Sequence, residues 1–255
     1  GPTTLVRSTD MGKIALVTGG SRGIGAATCH LLAANGYDIA INFCNDMAAA
    51  EKVADTVRQQ GNRSIVIRAD VGIEAEVSAM FEAVDRKLGV LDALVNNAGI
   101  NGRKGRVDEL NQADIMSVLR TNVVGPMLCS REAVRRMSTR YGGKGGAIVN
   151  VSSGSAYIGN PGSNVNYAVS KGALNSLMIG LSQEVAGEGI RVNNVSPGLT
   201  RTDMVSAELA AANTGSVPMG RLGEAKEVAE GIIWLLSDNS SFVAGANIRI
   251  AGGRP

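Results

Sequence analysis

This sequence is short of the residues that build metal centres and disulfide frameworks, with three cysteines and one histidine in 255 residues. Cys29, Cys44 and Cys129 are an odd number with no CxxC and no Cys/His ligand spacing, so free thiols in a reducing compartment are expected and no metal site is. His30, inside a helical pattern, is assigned no chemistry. No apolar run approaches the roughly 20 residues that span a bilayer, and no charged-then-apolar leader opens the chain, so a cytosolic protein is expected. An excess of one charge sign is missing too: Lys plus Arg number 25 and Asp plus Glu 23. Without long like-charged runs, nothing marks a nucleic-acid or acidic-membrane surface. Linkers, repeats and low-complexity blocks are also lacking, which leaves one domain over about residues 11–255. Residues 1–10 show no periodicity and open on a Gly-Pro that looks like a tag-cleavage scar; they are expected to be disordered or tag-derived, outside the fold.

What is present is 44% hydrophobic residues, 19% charged residues and 33 glycines, the composition of a compact protein with many tight turns. Ile14 to Val17 read as a strand buried on both faces. Gly19-Gly20-Ser21-Arg22-Gly23-Ile24-Gly25 and an apolar helical pattern follow. Such a turn lets a pyrophosphate approach backbone N–H groups at a helix N-terminus. Strand and helix then alternate: Asp38 to Phe43, Ala48 to Gln60, Arg63 to Ala69, Glu74 to Leu88, and Leu91 to Val95 leading into Asn96-Asn97-Ala98-Gly99. Two helical segments, about Asn111 to Asn122 and Val123 to Arg140, precede strands at Ala147 to Ser152 and Ile190 to Val195. A loop rich in Gly, Pro and Asn follows Ser153. Thr200 to Met219 read as a mobile flap, Ala225 to Leu236 as an amphipathic helix and Ala246 to Ile250 as a last strand. The fold class this predicts is α/β: a single-domain, doubly wound Rossmann fold whose parallel sheet has about seven strands, with helices on both faces.

Asn166-Tyr167-Ala168-Val169-Ser170-Lys171 sets a phenol and an ammonium four residues apart, on one face of a helix. The positive charge would favour the phenolate and lower a pKa that is ordinarily about 10, making a proton donor and acceptor for neutral pH.

Together, Thr18-Gly19-x-x-x-Gly23-x-Gly25, Asp70-Val71, Asn96-Asn97-Ala98-Gly99, Asn122, Ser153, Tyr167-x-x-x-Lys171 and Pro197-Gly198 resemble, in order and over nearly the whole chain, the short-chain dehydrogenase/reductases. The glycine turn and the Gly146 to Ser153 strand are most similar to bacterial sugar-dehydrogenase-like and ketoacyl-reductase-like members. The resemblance implies that Tyr167 is the general acid/base and that Ser153 hydrogen-bonds the reacting oxygen. Lys171 would lower the Tyr167 pKa and bind the nicotinamide ribose, and Asn122 would hold a water linking Lys171 to solvent. The gap from Ser153 to Tyr167 is one residue longer than the commonest family spacing. Ser152 and Ser155 therefore stay open as the oxygen-binding serine; Tyr157, lacking a lysine four residues on, is expected to line the pocket or pack.

By the same resemblance Gly19, Ser21, Arg22, Gly23, Ile24 and Gly25 would hold the cofactor with Cys44, Asn45, Asp70, Val71, Asn97, Ala98, Gly99, Tyr167, Lys171, Pro197, Gly198, Thr200 and Thr202. Asp70 also reads as a helix N-cap before Glu74. Where NAD-selective members carry an acid at the end of the second strand, Phe43, Cys44 and Asn45 stand, and Asp46 comes late. With Arg22 in the turn, NADP(H) is expected, with NAD(H) as the alternative. The implied function is hydride transfer between a small alcohol and its ketone or aldehyde; the alternatives are an NAD-dependent sugar/alcohol dehydrogenase and a non-catalytic dinucleotide sensor. The expected partners are a small carbonyl or alcohol substrate and, by analogy, copies of the same chain in a homotetramer or dimer. Val123, Met127, Leu128, Leu174, Leu177 and Leu181 would serve either that interface or the sheet.

Overall fold

In the computed structural model, which describes residues 12–202 and 214–255, the first strand β1 (Ile14–Val17) is buried along its whole length. Ala15 and Val17 enter one hydrophobic core and Ile14 and Leu16 the other, because alternate side chains leave opposite faces of a strand. A strand covered on both sides must be apolar throughout, and this one is.

After α1 (Gly23–Ala34) come β2 (Asp38–Phe43), α2 (Met47–Gln59), β3 (Ser64–Arg68), α3 (Glu74–Lys87) and β4 (Ala93–Asn96). Local chemistry sets several of these ends. Asp46 caps α2 by accepting from Ala49 N at 2.9 Å, while α3 carries Glu74 and Glu76 in its first turn and Arg86 and Lys87 in its last, as the helix dipole favours. The second half contains α4 (Gln112–Leu119), α5 (Gly125–Met137), β5 (Gly146–Val151), α6 (Ser155–Ile158), α7 (Val165–Val185), β6 (Ile190–Pro197), β7 (Thr200–Arg201), β8 (Gly223–Glu224), α8 (Ala225–Leu236) and β9 (Asn247–Ile250). Seven strands form one parallel sheet in the order β3-β2-β1-β4-β5-β6-β9. The order reverses between β1 and β4, and ligands of such sheets bind in the crevice outside that point.

Three differences from the sequence expectation have physical causes. The two helical segments before β5 are joined by a π turn, Arg120–Val124, that keeps the chain helical from α4 into α5. Pro126 follows this turn; it has no N–H to close an α-type bond to the Asn122 carbonyl. The loop after Ser153 contains the short α6, ended by Gly159 in left-handed conformation at φ +72°. The segment read as a flap is in part a small core: Val217 and Leu222 are buried against Leu199, and β7 pairs with β8. The rest of that expectation, and that for residues 1–10, falls outside the described residues.

The structure also sorts the helix-face leucines. Leu174 is buried and Leu128 and Leu181 pack on the core that holds Ile14 and Leu16, whereas Met127 is 52% exposed, as are Val124, Val169 and Ile179 to similar degrees.

Candidate active site

At the carboxyl end of β1 the chain turns through Gly19, at φ +60°, and Gly23, at φ +53°, values at which a side chain is strained. A Cβ on Gly25 would stand 2.3 Å from the Gly19 carbonyl oxygen and 2.6 Å from Asn97 Nδ2, so only glycine allows α1 to begin this close to the turn. Asn97 clamps the turn from β4 by donating to the carbonyls of Thr18 (3.2 Å) and Gly19 (2.9 Å), and Thr18 Oγ1 accepts from the backbone N–H groups of Asn97 and Ala98. Arg22, at the N-cap of α1, supplies no side-chain acceptor to the helix. The first-turn N–H groups are therefore without a side-chain cap, which suits an anion.

Past the ends of β4, β5 and β6 opens a cleft of about 510 Å³. Ser153, Tyr167 and Lys171 line it together. The Tyr167 phenol lies near enough to the Ser153 hydroxyl to feel it electrostatically, and Lys171 Nζ donates to the Val151 carbonyl at 2.9 Å while lying 5.6 Å from the Tyr167 ring centroid. Strand geometry separates the rival serines. Ser152 is buried, its hydroxyl engaged by the Lys171 carbonyl and Asn175 Oδ1, each 3.0 Å away; Ser155 Oγ accepts from Asn160 Nδ2. Tyr157 sits elsewhere, its ring under Arg249 and its hydroxyl accepting from Asn247 Nδ2. Asn122, fully buried in the π turn, accepts from Ile100 N (2.8 Å) and donates to Ile100 O (2.9 Å) and Ser170 Oγ (3.0 Å). Its amide thus ties the loop after β4 to the helix that carries Tyr167 and Lys171. A Cβ on Gly99 would lie 3.4 Å from Asn122 Oδ1 and 3.5 Å from Lys171 Nζ, so this glycine brings the loop close to both.

Desolvation dominates the charge states here. Burial raises the Tyr167 pKa, and the neighbouring Ser153 hydroxyl opposes it only in part. Burial also penalises the Lys171 ammonium and pulls its pKa down to about 8. Tyr167 is accordingly a neutral proton donor at pH 7. Lys171 in turn makes stability depend on pH. Its folded value lies below its unfolded one, so between about 8 and 10.4 the unfolded chain binds more protons and stability rises with pH. Lys171→Met is expected to raise stability by about 1–3 kcal/mol at neutral pH, with the gap to wild type closing toward pH ~10. Calorimetric melting at both pH values checks this; a variant with no advantage at neutral pH would refute it.

The proposed cofactor residues fall into two groups. Ile24, Asn97, Gly99, Pro197, Gly198, Thr200 and Thr202 line the main cleft, with Thr202 Cγ2 facing Gly23. Gly19, Ser21 and Ala98 complete the turn behind it. Cys44 and Asp70 line a separate recess along β3 and α3, and Asn45 is exposed at the end of β2. Asp70 does not cap α3, whose N-cap is Ile73; its carboxylate accepts from Gly72 N and Arg120. The Val71 side chain is buried in the core, beside Gly125, and leaves the cleft to its neighbours. Asp46, late in sequence, nonetheless reaches the glycine turn and pairs with Arg22.

One feature escaped the sequence reading. Asn96, Asn150, Asn194 and Asn247 stand side by side on four adjacent strands. Asn96 Nδ2 donates to Asn150 Oδ1 (2.9 Å) and Asn150 Nδ2 to Asn194 Oδ1 (3.0 Å); Asn194 and Asn247 both donate to Asn175 Oδ1 (3.1 Å each) on α7. The row fixes the strand ends against the helix that bears Tyr167. Its signal was an asparagine in each of those strands.

A doubly wound parallel sheet with a glycine turn at its switch point and a Tyr/Lys helix beside it defines a dinucleotide-binding oxidoreductase. Comparison with known proteins supplies the family. Residues 19–254 match the family model described as enoyl-(acyl carrier protein) reductase. The chain is 49% identical over 245 residues to the oxidoreductase YgfF of Escherichia coli, covering 94% of this chain and 99% of that one. It is 36% identical over 246 residues to the 3-oxoacyl-acyl-carrier-protein reductase FabG of Staphylococcus aureus, covering 95% and 98%. Among solved structures, a short-chain dehydrogenase of Burkholderia cenocepacia in complex with NADP superposes with a TM-score of 0.88 at 36% identity, over 95% of this chain and 98% of that one. The chain belongs to the short-chain dehydrogenase/reductase family, oxidoreductases acting on CH–OH and carbonyl groups. Among the described residues no helix is long and apolar enough to cross a membrane.

Proposed function

We propose that the chain is an NADP-dependent oxidoreductase that interconverts an alcohol and its ketone or aldehyde, with Tyr167 as general acid/base. The observation that carries this is that Ser153, Tyr167 and Lys171 line one cleft beside the glycine turn. The glycine turn fits a dinucleotide, since it runs at positive φ into α1, whose first-turn N–H groups carry no side-chain cap. When bound, NADPH supplies the hydride. In the reduction direction Ser153 and Tyr167 both hydrogen-bond the carbonyl oxygen. As that oxygen gains charge, Tyr167 transfers its proton to it. Lys171, buried beside the phenolate that results, stabilises it. The Asn122 carbonyl, to which Pro126 can offer no N–H, holds the water through which Lys171 passes a replacement proton from solvent.

Arg22 grips the ribose 2′-phosphate, with Asp46 holding its guanidinium at the end of β2. Arg22→Ala is expected to raise KM for NADPH about tenfold and to leave that for NADH unchanged. Steady-state kinetics with both cofactors decides it; a wild-type preference for NADH would refute the assignment. The exposed Val124 in the π turn, Met127 on α5, and Val169 and Ile179 on α7 support a homo-oligomer, and sedimentation tests that. Buried free Cys29 and Cys129 suit a cytosolic setting. Assay of NADPH oxidation with a panel of ketones, keto sugars and ketoacyl esters tests the whole reading. Tight cofactor binding without turnover of any of them would make the protein a sensor instead.

A further inference from the structure

Behind Ser153 the cleft continues into a recess of about 280 Å³ that shares Ser153, Ser155 and Asn160 with it and ends on Arg249 and Arg254. Arg249 is half-buried at the end of β9. Its guanidinium lies against Gly154, the residue next to Ser153: a Cβ there would stand 2.5 Å from Nη1 and 2.9 Å from Nη2. Gly154 thus leaves the room in which the cation sits. Two backbone carbonyls accept from it, Ser196 at 3.2 Å and Arg254 at 2.9 Å, and the Tyr157 ring lies 5.4 Å beneath it. Carbonyl dipoles and a ring face orient a guanidinium but do not neutralise it. Glu227, which lines an adjoining recess with Arg249 and Arg254, is already engaged with Arg221. Among the described residues neither Arg249 nor Arg254 has an ion pair. Two cations without an ion pair among the described residues, one of them partly desolvated and lining the same recess as Ser153, are poised for an anion that enters with the substrate.

We propose that Arg249 and Arg254 form an anion subsite that takes a carboxylate of the substrate, so that the preferred substrates are short keto acids and the matching hydroxy acids. This rests on the redox reading above, and the closing experiment separates the two. The acid's carboxylate pairs with Arg249 while its carbonyl reaches Ser153 and Tyr167. Lys104, which lines the main cleft and also has no ion pair among the described residues, is the competing cation.

Levulinate and its uncharged methyl ester, assayed with NADPH, test the subsite. Wild type is expected to favour the acid about tenfold in kcat/KM, through KM, and both Arg249→Gln and Arg254→Ala are expected to erase the preference while leaving the ester unchanged. Arg249→Gln keeps a donor for the Ser196 carbonyl, and Arg254→Ala touches only the last residues of the chain, so loss of folding does not stand in for loss of the anion. Equal use of acid and ester, a preference that survives both variants, or one lost only in Lys104→Ala overturns the inference and leaves the oxidoreductase intact. If neither compound turns over, calorimetric titration of levulinate into the cofactor-loaded protein decides. Binding abolished by Arg249→Gln upholds the subsite; binding that is absent or indifferent to that change overturns it.

Discussion

Tyr167→Phe is expected to lower kcat by about 10²- to 10⁴-fold, the range that a positioned general acid contributes, with little change in cofactor affinity. The phenol is in the structure the group best placed to give a proton to an oxygen held at Ser153. Phenylalanine keeps the ring that packs beside Lys171 and deletes the proton alone. Thermal stability should therefore hold, and the loss should appear in kcat more than in KM. The direction of the pKa shift adds a pH signature. Because burial keeps Tyr167 protonated through neutral pH, reduction should be flat there and fall on the alkaline side, while oxidation, which needs the phenolate, should rise. Measuring kcat against pH in both directions checks this. Turnover indifferent to the loss of the hydroxyl would end the mechanism.

Asn150→Leu should be the most damaging change of comparable size away from the cleft. Asn150 is fully buried in the middle of the asparagine row, and its two amide ends serve Asn96 and Asn194, themselves buried. Leucine is close in volume but leaves a donor on one side and an acceptor on the other without their partner. Each orphaned buried group costs about 1–3 kcal/mol; Asn96 Nδ2 keeps a bond to Ser130 Oγ at 3.2 Å, which softens one of them. A net loss of about 2–4 kcal/mol, or a drop of about 5–15 °C in Tm, is expected. Since β5 also bears the Val151 carbonyl that receives Lys171, kcat should fall along with Tm. A melting temperature within a degree or so of wild type would show that the row is dispensable.

Much of this arrangement could be read from the chain itself. Local patterns carried the strand and helix order, because a strand buried on both faces must be apolar and an amphipathic helix must repeat at 3.6 residues. Asp38 to Phe43 and Ala225 to Leu236 were placed at their observed ends, and the boundaries of most other elements moved by a residue or two at turns that frays and caps decide. The loop before Tyr167 was not legible, since α6 is a single turn fixed by contacts across the cleft and by Gly159 and Asn160, both at positive φ. The pairing of Asp46 with Arg22 was missed for a related reason. Twenty-four residues separate them, and only the crossover from β1 through α1 to β2 brings them together.

By itself, then, the sequence determined the order of elements, the glycines at the turn and the presence of Tyr167 and Lys171 one helical turn apart. Those are properties of spacing and residue type, which short-range sterics and burial enforce. Tertiary structure alone decided that the Val71 side chain is buried in the core, that four asparagines from separate strands join in one buried row, and that Arg249, without an ion pair among the described residues, lies against Gly154. It also decided the charge state. The field of Lys171 on Tyr167 predicted a lowered pKa, but desolvation of both groups, a property of everything packed around them, outweighs a charge that is itself buried.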